Sequence, residues 1–128
     1  MEAADSSVAS AEADDVTAMV RKVFSGRVAF HDGDREIAPG ITVHKIGGHS
    51  KGLQCVRVST RRGPVVLASD SMHLYQHLEE GKVFPIVYNV GDVLEGYRTL
   101  LRLGGDIGHI IPGHDPMVLE KYPAPRPE

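Results

Sequence analysis

Three apolar segments of this chain each run straight into a tight turn carrying a metal-type side chain. Residues 41–46 open onto Gly47-Gly48-His49-Ser50-Lys51-Gly52, residues 64–69 end at Asp70, and residues 109–111 open onto Pro112-Gly113-His114-Asp115. Each segment is a short run rich in Val, Ile or Leu and bounded by Gly or Pro, the pattern of a buried strand. Zinc and iron need imidazole nitrogens and a carboxylate at about 2.0–2.2 Å, carried on backbone that turns sharply. For the three side chains to act together, three strands must deliver their ends to one edge of a sheet.

Taken singly, each residue has a second reading. His49 is either a surface-turn histidine or a ligand whose flanking glycines let the backbone approach an ion. Asp70 is either the N-cap of a helix over residues 71–80 or a ligand, and both roles are compatible. His114 is a surface histidine near a helix start or a ligand. Asp115 then either orients an imidazole or caps the last helix.

The rest of the chain sets bounds. With 128 residues it holds one domain, and the net charge of −3 argues against a nucleic-acid partner. The single cysteine, Cys55, excludes an internal disulfide, and no apolar stretch reaches the length of a membrane span. With no signal-peptide pattern either, these features predict a cytoplasmic protein with no membrane partner. Residues 1–13 form an acidic, Ala/Ser-rich tail with little to bury and read as disordered; residues 14–122 form the folded unit, and 123–128 form a Pro-rich tail.

Within the folded unit, Val16, Met19, Val20, Val23 and Phe24 recur at helical spacing, with Asp14 and Asp15 as caps and Gly26 as a stop. Residues 27–30 read as a strand, and Asp32-Gly33 as a hairpin turn. Residues 41–46, 53–60 and 64–69 read as strands, and 71–80 as a helix ended by Gly81. Asp92 with Glu95 suggests a capping box ahead of the stripe Val93, Leu94, Tyr97, Leu100 and Leu101. Residues 109–111 read as a strand and 116–121 as a short helix. The expectation is an α/β layered fold, one mixed sheet backed by helices.

The segments Gly-Gly-His-Ser-Lys-Gly, Val-Val-Leu-Ala-Ser-Asp-Ser and Ile-Ile-Pro-Gly-His-Asp, with the intervals between them, resemble the metallo-β-lactamase superfamily. The likeness is to the branch of N-acyl-homoserine lactone hydrolases, the quorum-quenching enzymes, and covers about residues 14–123. It implies the C-terminal half of a four-layer αββα sandwich whose two halves enclose a dinuclear centre. In that family the first half carries a His-x-His-x-Asp-His motif, and the second half supplies a histidine, a bridging aspartate and a histidine. The resemblance thus implies His49, Asp70 and His114 as metal ligands, and zinc as the cofactor, two ions per complete site, with iron or manganese as alternatives.

No His-x-His-x-Asp-His occurs among the seven histidines, at 31, 44, 49, 73, 77, 109 and 114. The expectation is therefore a truncated hydrolase with little or no activity alone. A small lactone or ester would be its substrate only once a partner completes the site. His73 falls where related lactonases use a tyrosine to hold the carbonyl oxygen, and Tyr75 lies nearby; both are candidate carbonyl-oxygen contacts, or else a partly buried helix face. Two other readings stay open. One is a non-catalytic half-domain that self-associates, or pairs with a full-length relative, through an uncovered apolar face. The other is a single-metal protein using His49, Asp70, His114 and water.

Overall fold

The computed structural model describes residues 12–125, which form two units divided after His31. The acidic tail expected at 1–13 and the last three residues of the Pro-rich tail fall almost wholly outside the described residues.

The first unit contains helix α1, Ala13–Phe24. Its N-cap is Glu12, so Asp14 and Asp15 are not caps; they lie in the first turn and act through the helix dipole, with Arg21 and Lys22 in the last turn. Gly26, at φ +69°, donates its N–H to the Val23 carbonyl and ends the helix as expected. No residue of α1 is buried. Residues 27–30 form no strand, a correction to the sequence reading: the segment has no ladder partner.

The second unit is a five-stranded sheet in the order β1-β2-β3-β4-β5. Its strands are β1 (Arg35–Ala38), β2 (Ile41–Lys45), β3 (Gln54–Thr60), β4 (Gly63–Ser69) and β5 (Ile110–Pro112). The first four are antiparallel neighbours, and β5 runs parallel to β4. No hairpin forms at Asp32-Gly33. The hairpin instead turns at Pro39-Gly40, because proline presets one corner and Gly40, at φ +75°, takes the left-handed one. That turn creates β1, an edge strand the apolar pattern did not disclose.

Between β4 and β5 come helix α2 (Tyr75–Glu80) and helix α3 (Val90–Gly104); helix α4 (Met117–Lys121) follows β5. Helix α2 starts four residues later than expected. Gly81 closes it in the left-handed conformation. The expected Asp92/Glu95 box is replaced by Asn89, whose side chain accepts the Asp92 N–H at 2.9 Å. Val93, Tyr97 and Leu100 bury the α3 stripe against Cys55, Val66, Ala68 and Ile110. Leu94 and Leu101, at the edge of the stripe, stay 40% exposed. Burying a side chain such as Leu100 contributes about 1.5–3 kcal/mol.

The opposite sheet face carries a cross-strand row, Val43-Val56-Leu67-Ile111, set by direct register. Leu67 in that row is 45% exposed.

Candidate metal centre

The parallel pairing of β4 with β5 decides the site. It brings the C-terminal ends of the two strands to the same sheet edge, where open α/β sheets place ligands. Asp70 follows β4 and His114 follows β5. Gly113 makes the approach possible, since a Cβ there would stand 2.6 Å from the Ser69 carbonyl oxygen. Ser69, at φ +51°, is the one described non-glycine residue with positive φ, so strain sits directly before Asp70. Two backbone bonds fasten the turn: Gly113 N–H donates to the Met72 carbonyl at 2.9 Å, and His114 N–H to the His73 carbonyl at 3.0 Å.

These constraints gather Asp70, His73 and His114, with one ligand atom from each inside a 4.8 Å sphere of mutual distance. His114 Nε2 lies 2.6 Å from Asp70 Oδ1, and His73 Nε2 lies 3.4 Å from the same oxygen. Asp70 caps no helix, because α2 begins only at Tyr75. His73 precedes that helix, and His77 within it accepts the Leu74 N–H on Nδ1 at 3.2 Å.

The His73 ring stacks on buried Phe84, centroids 3.6 Å apart and 16° from coplanar. Burial holds its imidazole below the ordinary value, helped by His114 and opposed by Asp70, which favours the neutral form a metal requires. Its Nε2 is buried without a hydrogen-bond partner.

His49 stands beside this group, its ring centroid 5.8 Å from that of His73. Its Nδ1 donates to the Ile86 carbonyl at 2.7 Å, leaving Nε2 with a free lone pair. Metal-binding histidines are typically oriented this way. The His49 turn is packed tightly: Gly48, at φ +89°, has Val93 where a Cβ would be, and its carbonyl accepts from Tyr88 and Asn89.

Tyr75 is elsewhere. Its ring is buried under the Lys121 ammonium at 3.8 Å, and its hydroxyl is buried without a partner. Asp115 takes the capping alternative, accepting from Met117 N–H and Tyr75 N–H at 2.9 Å each. His44 is buried, with Nε2 2.8 Å from the Thr42 hydroxyl. His109 pairs through Nδ1 with the Pro64 carbonyl.

Two imidazoles, one of them with its buried nitrogen unpartnered, and a carboxylate in one cluster fit a first-row divalent ion. Asp70, His73 and His114 would hold it, with the His49 ring 5.8 Å from that of His73.

No protein-family model matches the sequence, and no curated protein matches it. Solved structures do. An N-acyl homoserine lactone hydrolase with N-hexanoyl-L-homoserine at its catalytic metal centre superposes with a TM-score of 0.65 and 24% identity, over 73% of this chain and 38% of that one. A quorum-quenching N-acyl homoserine lactone hydrolase gives 0.63 and 25%, over 77% and 40%. A probable metal-dependent hydrolase from Staphylococcus aureus gives 0.61 and 17%, over 72% and 34%.

The fold is therefore the C-terminal half of a metallo-β-lactamase sandwich, one mixed sheet backed by helices. Within that class the chain is similar to N-acyl homoserine lactone hydrolases and other metal-dependent hydrolases. It spans about 38% of the length of the lactone hydrolase it matches. Among the described residues no helix is long and apolar enough to cross a membrane.

Proposed function

We propose that this chain contributes the metal-ligating C-terminal half of a metal-dependent lactone or ester hydrolase. The observation that carries the reading is the meeting of Asp70 and His114 at the parallel β4/β5 edge, 2.6 Å apart, within a lactonase-like half-fold. His49, Asp70 and His114 are the ligands this chain would offer to the completed two-half site. Zinc is the proposed metal, with iron or manganese as alternatives; when bound, it would supply Lewis acidity and lower the pKa of a bound water towards neutrality. Asp70 would supply the negative charge of the ligand set. The Ile86 carbonyl keeps the His49 ring in the tautomer that leaves Nε2 bare. In that completed site, where His49 is the ligand, His73 Nε2 would be free to carry a proton and donate it to a substrate carbonyl oxygen from its seat on Phe84. Tyr75 has no such reach while its ring lies under Lys121.

The remaining ligands must come from a segment bearing His-x-His-x-Asp-His, which this sequence lacks. The test is complementation: the chain is mixed with a separately produced first-half segment of a lactonase, loaded with zinc, and assayed on N-acyl homoserine lactones and simple esters. Metal-dependent hydrolysis is expected. A stable, metal-loaded complex without hydrolysis would sink the reading.

The half-exposed Leu67 in the Val56-Leu67-Ile111 row favours a second reading, a non-catalytic half-domain paired with a second copy or a full-length relative. Sedimentation at low concentration separates the two states, since a compact monomer contradicts pairing.

A further inference from the structure

The structure points to a metal site that this chain completes by itself, with His73 rather than His49 as the third protein ligand. We propose that Asp70, His73 and His114 bind one divalent d-block ion, with the remaining coordination position open to water. This goes beyond the hydrolase reading, because it requires no second chain and no reaction.

Four observations carry it. His73 Nε2 is buried and unpaired, although a buried nitrogen is normally satisfied. It is 3.4 Å from Asp70 Oδ1, too long and poorly aligned for a hydrogen bond. Two ligand atoms of a tetrahedral ion with bonds of about 2.1 Å are separated by about 3.4 Å. The His73–Asp70 approach matches such an edge, and the 2.6 Å between His114 Nε2 and Asp70 Oδ1 would open by roughly 0.8 Å on binding. Third, the His73 ring is already fixed, stacked on Phe84 and carried on backbone that accepts the His114 N–H. No rotamer entropy remains to be lost when it binds. Fourth, His114 is 60% exposed, which leaves one side of the cluster open for water to enter. Binding requires the proton that His114 shares with Asp70 to leave Nε2, which the ring achieves in the tautomer that carries it on Nδ1. His49, tied to the Ile86 carbonyl and outside the 4.8 Å cluster, is not needed.

The experiment uses the full 128-residue chain without a histidine tag. Zn2+ alone is titrated by calorimetry, and Co2+ alone by its visible ligand-field bands. One ion per chain is expected, with an affinity independent of chain concentration. His73→Phe keeps the ring on Phe84 and removes the nitrogen; it should weaken binding at least tenfold while circular dichroism and the unfolding midpoint of the metal-free protein stay put. His114→Gln should weaken binding as much. His49→Phe should change affinity less than threefold and leave the Co2+ spectrum intact. The proposal is overturned if His73→Phe binds like the parent, if His49→Phe abolishes binding, if affinity rises with chain concentration, or if no ion binds. Tight binding without any hydrolysis in the complementation assay would refute the hydrolase reading and leave this one standing. Hydrolysis by the parent chain in the complementation assay, together with unchanged Zn2+ affinity of the His73→Phe chain alone, would do the reverse.

Discussion

Replacing Gly113 by alanine should pull the two ligand-bearing turns apart. The new Cβ would stand 2.6 Å from the Ser69 carbonyl oxygen and 2.8 Å from its carbon, where ordinary contact begins at 3.4 Å. Both atoms belong to backbone, so no side-chain tip can swing away. The ends of β4 and β5 must separate by roughly 1 Å, an overpacking strain of about 1–3 kcal/mol. The same movement lengthens the Gly113–Met72 and His114–His73 backbone bonds. At about 1 kcal/mol net for each of the two weakened bonds, the total comes to roughly 3–5 kcal/mol. With a urea slope of about 2 kcal/mol per molar, the midpoint should fall by roughly 1.5–2.5 M. Gly52→Ala is the matched control, since nothing lies within 4 Å of its Cβ and its φ is ordinary; its change should stay within about 0.5 kcal/mol. Folded Gly113→Ala should also lose at least tenfold in Zn2+ affinity, because ligand positions tolerate only about 0.2 Å. A Gly113→Ala midpoint within about 0.2 M of the parent would refute the close approach on which the site's geometry rests.

Gly48→Ala combines left-handed backbone with a Cβ 2.7 Å from Val93 Cγ2 and 2.9 Å from Val93 N, so a loss of about 3 kcal/mol or more is expected in urea unfolding; a neutral result would mean the His49 turn does not pack on α3. Asn89→Ala should cost about 1 kcal/mol by removing the α3 cap, and Asn89→Asp should retain it, as read from thermal midpoints. Burial pushes the Cys55 thiol up from 9.0 to about 11, so the folded state holds its proton where the unfolded state releases it. The corresponding stability is intact below pH 9 and is lost as pH rises towards 11, roughly 3 kcal/mol in all. Urea midpoints across that window should fall more steeply for the parent than for Cys55→Ala; parallel curves would contradict the burial argument.

The candidate site was legible in the chain as apolar runs ending in His49, Asp70 and His114, because a strand that terminates on glycine and a polar ligand leaves a local mark. The apolar stripe of α3 was equally plain. Helix starts were less so. Asp70 and Asp92 are both good caps by residue type, yet Leu74 and Asn89 hold the cap positions. For Asp70 the reason is competition: its carboxylate faces the His114 and His73 imidazoles, and the turn from Ser69 to Leu74 stays non-helical to keep it there. The missed strand β1 alternates weakly and is exposed along its length, so no periodicity announced it. Tyr75 lies near the site in its backbone, whose N–H donates to Asp115, but its ring lies beneath Lys121, a placement set by packing.

The sequence by itself determined the material of the site: which residues can hold a metal, which runs must be buried, and that His-x-His-x-Asp-His is lacking. It did so because residue chemistry and short-range periodicity are local properties. Only the tertiary structure decided which of those residues meet. Asp70 and His114 are 44 residues apart and touch because β5 joins β4 in parallel and Gly113 lets their backbones close. His73 joins them through backbone pairing and a stack on Phe84. Register, crossover and close approach are long-range outcomes of packing, and no single segment of the chain encodes them.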